Sequence, residues 1–242
     1  MSNWLTIAVQ CHHFEHRLNW MISSLAGQHG VCLDVACVKN GATVDAMRYH
    51  YYGRECDGRV TTFEDMSALQ YRGLTRNAQV AGCTTPYMLF ADCDMVYHPE
   101  YFARLRQHAF DMGASDMLIA GRISQPNDQR RFTNRLVRAN GPYPCVVDEP
   151  SGKASQLPPK RRGNVGAGYF QLVRTVDCDG YYVDAAKNRD HGWTDTYSKC
   201  KSDQQFRKRF TRVKLPRWFS DNEWHLNHVR DNELGKHTEE QR

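Results

Sequence analysis

Hydrophobic residues in the first part of the chain follow a pattern that predicts alternating strands and helices. Residues 5–10 are an apolar run of strand length, and residues 31–38 form a second run that is almost wholly apolar. Between them, residues 16–26 carry apolar side chains three or four positions apart, which is the spacing of one helix face. Continuous apolar strands are typical of parallel sheets that are covered on both faces. The pattern therefore predicts a β-α-β unit that opens a doubly wound α/β sheet.

The strongest feature in the middle of the chain is an apolar strand that ends in two carboxylates. Residues 86–91 lead directly into Asp92-Cys93-Asp94, and a helix is predicted for residues 99–112. Ligands collect at the carboxyl ends of strands in open α/β sheets, so Asp92 and Asp94 stand where a site would form. Carboxylate oxygens suit Mg²⁺ or Mn²⁺, which keep positions open for phosphate groups. Alternatively, the two side chains only cap backbone donors in a turn.

Weaker patterns predict the remaining elements of the chain. A helix is expected to carry Arg76 and Asn77. Further strands are predicted at residues 59–63, at 116–121, within the glycine-rich stretch 164–174, and at 213–219. The long irregular stretch of residues 122–163 is expected to be either a functional lid or a disordered segment.

The composition fits one globular domain. The chain has 242 residues, of which 40% are hydrophobic and 24% charged, as in an ordinary soluble protein with a substantial core. We therefore expect a single domain over residues 1–242. No stretch approaches about 18 consecutive apolar residues, so no membrane span is expected. Residues 1–11 have no basic region before their apolar run, which favours a strand over a signal peptide.

The cysteine spacing indicates the cellular compartment of the protein, and the net charge indicates the kind of ligand that it favours. The nine cysteines form no Cys-x-x-Cys pairs, which favours reduced thiols in a cytoplasmic protein. The net charge of +5 favours anionic ligands but is too small to establish nucleic-acid binding. The basic run Lys160-Arg161-Arg162 is either a solvated surface patch or, together with the positive net charge, a feature that keeps a nucleic-acid partner open.

The segment from Arg76-Asn77-Ala78 to Asp92-Cys93-Asp94 resembles the nucleotide-sugar glycosyltransferases of the GT-A fold, particularly the inverting family two. In that family an Arg-Asn-Ala helix precedes the strand that ends in the Asp-x-Asp metal motif. The resemblance implies an α/β fold with a mostly parallel central sheet flanked by helices on both faces. It also implies a nucleotide-binding half, residues 1–98, and an acceptor-binding half, residues 99–242.

The same resemblance implies a set of residues that contact the nucleotide sugar. They are Gln10, Cys11, His12, Asn40, Arg76, Asp92, Gly166, Ala167 and Gly168. Asn40 stands where the family usually has an aspartate, so a UDP-type and a GDP-type donor both stay open. The alternative for Asn40 is a simple Asn-Gly turn. Arg76 either contacts the phosphate side of the nucleotide or lies on a solvated helix face. Small residues at 166–168 would let the backbone approach the sugar closely.

An inverting transferase needs a general base to deprotonate the acceptor hydroxyl as it attacks the anomeric carbon. The resemblance indicates Asp203 for this role, at the start of a late amphipathic helix, with Asp195 in reserve. The alternative for Asp203 is a structural role as the N-cap of that helix.

A histidine close to the end of the sequence completes the implied metal site. The run His228-Val229-Arg230-Asp231 resembles the His-x-Arg-Asp of the β-1,4-galactosyltransferase branch, in which such a histidine binds the metal. The resemblance thus implies Asp94 and His228 as ligands, with Asp92 and His225 as further candidates. Imidazole beside carboxylates fits Mn²⁺ better than Mg²⁺.

The expected function is a metal-dependent, inverting transfer of a sugar from a nucleotide-diphosphate sugar to an acceptor hydroxyl. The acceptor could be a glycan, a protein, a lipid or a hydroxylated DNA base. A nucleotidyltransferase is one alternative, but it normally carries a glycine-rich basic signature after the first strand, where this chain has Cys11-His12-His13-Phe14. A non-catalytic module that binds nucleotide or nucleic acid is the other alternative.

Overall fold

The structure is a computed structural model that describes most of the predicted sheet and the helices around it. The described residues are 2–11, 15–25, 27–39, 57–64, 69, 72–120, 170–178 and 206–225. The strands are β1 Leu5–Gln10, β2 Val31–Val38, β3 Asp57–Phe63, β4 Tyr87–Ala91, β5 Met95–Tyr97, β6 Asp116–Ile119, β7 Phe170–Arg174, β8 Thr211–Lys214 and β9 Glu223–His225. The helices are α1 Glu15–Leu25, α2 Arg72–Ala81, α3 Tyr101–Phe110 and α4 Arg217–Asp221, and a 3₁₀ turn spans Thr175–Cys178.

The main sheet has seven strands in the order β3-β2-β1-β4-β7-β6-β8. Strand β7 is antiparallel to both of its neighbours, and every other pairing in this sheet is parallel. All strands except β7 therefore run in the same direction, so their carboxyl ends share one edge of the sheet. Strands β5 and β9 form a separate antiparallel pair. The predicted α/β architecture with a mostly parallel central sheet is confirmed.

Both faces of the sheet are covered, which explains the apolar runs in the sequence. Successive residues of β4 point to opposite faces: Leu89 belongs to one hydrophobic cluster, and Met88 and Phe90 to another. The first cluster includes buried side chains of α1 and α3, and the second receives Val80 of α2 and Phe206. A strand packed on both sides needs apolar residues at every position.

A buried glutamine joins the end of α1 to the start of α3. The Nε2 atom of Gln28 donates hydrogen bonds to the carbonyls of Ser24 (2.7 Å) and His98 (3.3 Å), and its Oε1 accepts one from the Phe102 amide (3.1 Å). The N-cap residue of α3, Glu100, makes no side-chain cap of its own. Gln28 therefore supplies the acceptor that an exposed helix start would take from water.

A second polar cluster fastens α2 to the sheet. Asp34 of β2 is fully buried and accepts hydrogen bonds from Arg59 and from Thr61 of β3. Arg59 also donates to the carbonyls of Gln79 and Gly82 at the end of α2. The guanidinium thus satisfies backbone carbonyls that the helix end leaves without partners.

The sequence prediction was wrong in one element and shifted in others. The strand expected at residues 213–219 ends at Lys214, and a helix begins at Arg217. Pro216, at the N-cap of α4, explains the change, because proline restricts the preceding residue and suits a helix start. Strand β3 begins two residues earlier than expected, and β6 ends two residues earlier. The stretch 122–163, with its basic run at 160–162, lies outside the described residues.

Candidate active site

The Asp-Cys-Asp segment forms a turn at the carboxyl end of β4, in the middle of the sheet. Strand β4 ends at Ala91, and β5 begins at Met95, so the two carboxylates occupy the connection between them. Asp92 is partly exposed, whereas Asp94 is only 6% exposed. The turn therefore presents one carboxylate towards solvent and holds the other against the protein. This placement agrees with the site predicted at the sheet edge.

The first strand reaches the same turn through its last residues. The register pairs Ala8 with Phe90, which brings Gln10 level with Asp92. Cys11 and Cys93 are both buried, and their thiols are in hydrogen-bond contact. This hydrogen bond, burial and the nearby charges of Asp94 and Asp92 raise the pKa of the Cys93 thiol well above its usual value. Two predicted donor-binding residues, Gln10 and Cys11, thus lie beside the carboxylates, with the Cys11 side chain packed beneath the turn.

Arg76 lies under the site and not on a solvated surface. It is 2% exposed, and its guanidinium carbon lies 5.0 Å from the ring centroid of Phe90, two residues before Asp92. Helix α2 is held at this position by Gln79, whose Nε2 donates to the carbonyls of Val9 (3.0 Å) and Asp34 (2.9 Å). The alternative of a solvated helix face for Arg76 is therefore wrong. Its contact with a phosphate stays a prediction.

The pairing of β5 with β9 brings a distant part of the sequence to the turn. The backbone of His225 lies opposite Met95, the residue that follows Asp94. Strand β9 thus brings the backbone of His225 close to Asp94, and a role for His225 or His228 as a metal ligand stays a prediction. Only the backbone of His225 is described, and His228 lies outside the described residues.

A buried acid that the sequence did not reveal lies behind the turn. Glu223 of β9 is 0% exposed, accepts a hydrogen bond from the Tyr101 hydroxyl, and lies opposite Tyr97 in the β5–β9 register. Burial raises the pKa of Glu223 to about 8, and the hydrogen bond from Tyr101 offsets only part of this. Burial and the charges of Glu223, Asp92 and Asp94 raise the pKa of Tyr97 well above its usual value.

Two buried polar atoms, one on Glu223 and one on Tyr97, lack a hydrogen-bond partner within the described part of the chain. The second carboxyl oxygen of Glu223 and the hydroxyl of Tyr97 are both buried and make no hydrogen bond there. Buried polar groups without partners are rare, because each of them lowers the stability of the folded state. The sequence around Glu223, Asp-Asn-Glu-Trp-His, reads as a polar turn and gave no signal of a buried carboxyl.

Several predicted residues lie outside the described residues. These are His12, Asn40, Gly166, Ala167, Gly168, Asp195, Asp203 and His228. Within the described residues, no three histidine, cysteine or acidic side chains come together as a metal site. Asp92 and Asp94 nevertheless form a donor set of oxygen atoms that suits Mg²⁺ or Mn²⁺, with further ligands to come from elsewhere.

Two other observations concern the cysteines and the helices. The cysteines that the structure describes form no disulfides among themselves: Cys11, Cys32, Cys37, Cys83, Cys93 and Cys178 are all thiols. In the same part of the chain, every helix is too short or too polar to span a bilayer.

The fold is shared with solved glycosyltransferase structures. The TarS 1-349 structure from S. aureus in complex with UDP matches with a TM-score of 0.55 at 16% identity, over 98% of this chain and 63% of that one. A mannosyltransferase from Pyrobaculum calidifontis, in complex with GDP-Man and Mn²⁺, matches with a TM-score of 0.53 at 8% identity, over 96% and 58%. The chain thus spans less than two thirds of either neighbour.

Comparison of the sequences alone gives no assignment. No protein-family model matches the chain, and no curated protein matches it. The likeness lies in the three-dimensional fold. The chain has the GT-A fold of nucleotide-sugar glycosyltransferases.

Proposed function

We propose that the protein is a metal-dependent, inverting glycosyltransferase that moves a sugar from a nucleotide-diphosphate sugar to an acceptor hydroxyl. The observation that carries this proposal is the Asp92-Cys93-Asp94 turn at the carboxyl end of β4, in a fold whose solved neighbours hold UDP or GDP-Man. In this proposal residues 1–98 bind the nucleotide and residues 99–242 bind the acceptor.

The donor would lie across the edge where β1 and β4 end. Gln10, Cys11 and Asp92 lie at this edge, and Arg76 beneath it adds a positive charge on the phosphate side. The remaining donor contacts in this proposal are His12, Asn40 and the backbone at Gly166, Ala167 and Gly168. The donor is of the UDP or GDP type, as in the two neighbours.

The cation would be Mn²⁺, or Mg²⁺ in its place, held by Asp94, Asp92 and His228, with His225 as a further ligand. Bound there, it would supply positive charge against the diphosphate leaving group. The pairing of β5 with β9 supports this set, because it brings the chain at His225 next to the residue after Asp94.

An inverting mechanism also needs a general base. The acceptor oxygen attacks the anomeric carbon opposite the bond to the diphosphate, that bond breaks, and the acceptor proton passes to a carboxylate. We assign this carboxylate to Asp203, with Asp195 in reserve. The thiols of the described cysteines support a cytoplasmic location for the reaction.

The proposal is tested by measuring nucleotide release from a panel of UDP- and GDP-sugars, with and without Mn²⁺. We expect one donor to be hydrolysed slowly in the presence of Mn²⁺, and chelation to abolish the activity. Asp94→Asn and Asp92→Asn should each lower kcat by roughly 100-fold or more, in the range that removal of one stabilising group costs other enzymes. Asp111→Asn is a matched control, because this exposed acid lies at the far end of α3 and, among the described residues, its side chain is hydrogen-bonded to Gln107 alone.

Other outcomes would identify the alternatives. Release of pyrophosphate from a nucleoside triphosphate would indicate a nucleotidyltransferase. Binding of nucleotide without turnover, unchanged in Asp94→Asn, would indicate a non-catalytic module. When an acceptor is found, a product with the same anomeric configuration as the donor, read by NMR, would contradict inversion.

A further inference from the structure

The outer edge of the main sheet carries a concentrated positive charge. Among the described strands, β8 is the last in the sheet order and has β6 as its single partner. Five exposed basic side chains lie on it or beside it; we call this set the basic edge: Lys208, Arg209, Arg212, Lys214 and Arg217. Residues 206–220 contain no acidic side chain. The charge is therefore not balanced by its neighbours in the sequence.

The geometry of β8 presents this charge to solvent. All four of its residues are exposed, and Arg212 and Lys214 point to the same face because side chains alternate along a strand. Lys208, Arg212 and Lys214 form no ion pair with any residue in the described part of the chain. They are available to a partner that carries negative charge.

The basic edge leads towards the candidate active site. Strand β8 runs in the same direction as β4, so Lys214 lies at the edge of the sheet where Asp92 is found. From there the chain continues through α4 into β9, which lies beside the acidic turn. A long ligand lying along β8 would therefore extend towards the donor site.

The chemistry of the basic edge favours a linear phosphate polymer. A small anion is held by donors that converge on one point, whereas these cations are spread along a strand. Among the described residues near β8, the aromatic side chains give little platform for unstacked bases. Phe206 and Phe210 are buried, and the guanidinium carbon of Arg104 lies 4.5 Å from the ring centroid of Trp218. Single-stranded nucleic acid binds largely by stacking on exposed aromatic rings, so a duplex fits better. Lysine and arginine side chains spread along a strand can follow the repeating phosphates of a backbone, and such contacts carry no sequence information.

We propose that the basic edge binds the phosphate backbone of double-stranded DNA. Binding is independent of sequence and is driven by release of counterions from the DNA. As a consequence that rests on the proposed glycosyltransferase function, a hydroxylated base of the bound duplex would supply the acceptor hydroxyl. The competing explanation is that the charges only prevent the edge strand from pairing with another chain.

The test is fluorescence anisotropy with a labelled 20-base-pair DNA duplex, titrated with the full chain between 50 and 200 mM salt. We expect a linear fall of log affinity with log salt concentration. The variant Arg212→Gln/Lys214→Gln should lower the magnitude of the slope by about 2, because each phosphate contact contributes about 0.9. The ratio of parent affinity to variant affinity should therefore be roughly 10-fold larger at 50 mM salt than at 200 mM salt. Arg106→Gln, an exposed arginine on α3 that lies over Phe110, is the control and should bind like the parent.

Four results would overturn the proposal. They are the absence of duplex binding, an equal loss of affinity in Arg106→Gln, tighter binding of single-stranded DNA or duplex RNA, and tighter binding of phosphatidylglycerol vesicles. Aggregation of Arg212→Gln/Lys214→Gln with DNA affinity intact would show that the charges protect the edge strand instead. Nucleotide release is measured in parallel without DNA: if it persists in Arg212→Gln/Lys214→Gln, the transferase proposal stands whatever the binding result.

Discussion

At the scale of single residues, the most unusual group is the buried carboxyl of Glu223. Its raised pKa follows from burial, and the nearby hydroxyls of Tyr97 and Tyr101 stay neutral because their own pKa values are raised. The sequence could not reveal this acid, because burial depends on the pairing of β9 with β5 and not on its neighbours in the chain. Asp92 and Asp94 were predictable because the apolar strand before them fixes where they lie.

Glu223 makes folding stability depend on pH. Its pKa is about 8 in the folded protein and near 4.5 in the unfolded chain, so the neutral form favours the fold. The contribution of neutral Glu223 to the free energy of unfolding is complete below about pH 4.5 and is lost as the pH rises through 8. The loss is on the order of a few kcal/mol, since one pKa unit corresponds to about 1.4 kcal/mol.

Unfolding in urea at pH 5 and pH 8 measures this loss. We expect Glu223→Gln to remove most of the fall in stability between the two pH values. Glu64→Gln, at an exposed acid paired with Lys39, should leave the fall unchanged. An identical pH dependence in the parent and in Glu223→Gln would contradict the assignment.

Asp34 is the second residue whose removal should be costly. Asp34→Ala leaves Arg59 without its carboxylate and Thr61 without its acceptor. We expect a loss of about 3 kcal/mol in the free energy of unfolding, at the lower end for a broken buried pair because Arg59 is partly exposed. Asp34→Asn keeps an acceptor for Thr61 and should cost less. Equal losses in the two variants would show that the charge of Asp34 adds nothing.

At the scale of elements, the strands that pack on both faces could be predicted from the sequence and the connections could not. Strands β1 and β2 have the expected bounds, because complete burial leaves an unbroken apolar run. Strand β9 was not predicted as a strand, since it is three residues long and polar. The strand predicted at residues 213–219 was too long because the apolar pattern continues across Pro216, which lies at the start of α4.

Gln28 supplies an element-scale prediction. Gln28→Ala removes the acceptor of the Phe102 amide and the donor to the Ser24 and His98 carbonyls. Because these groups are buried, we expect a loss of about 1–3 kcal/mol in urea unfolding. The exposed Gln107, which contacts Asp111 on the same helix, is the matched control, and Gln107→Ala should cost less than about 0.5 kcal/mol. A similar cost at both positions would contradict the bridging role of Gln28.

At the scale of the whole molecule, the candidate site is assembled from three parts of the sequence. They are the end of β1, the turn after β4 and the strand β9. The first two meet because β1 and β4 are parallel neighbours that end at the same edge of the main sheet, and β9 joins them by pairing with β5. The order of motifs was sufficient to predict the fold. The side-chain geometry of the full site was not predictable, because short motifs do not specify how distant loops approach one another.

A bound nucleotide should stabilise the whole fold. Either UDP or GDP at about 100 times its Kd, with Mn²⁺, should add about 2.7 kcal/mol to the free energy of unfolding. For a chain of this size that corresponds to a rise in Tm of roughly 5–10 °C. We expect no rise for Asp92→Asn/Asp94→Asn with Mn²⁺, while Asp111→Asn behaves like the parent. A rise that is equal with and without Mn²⁺ would contradict a shared site for nucleotide and metal.

The hydrogen bond between Tyr101 and Glu223 joins residues 122 positions apart. Contacts of such long range form late, since much of the chain must be ordered before they can close. During synthesis, strands β1 and β4 leave the ribosome long before β9 does. A growing chain can therefore pair β3, β2, β1 and β4 early, but its acidic turn stays uncovered on the side of β9 until that strand has been synthesised.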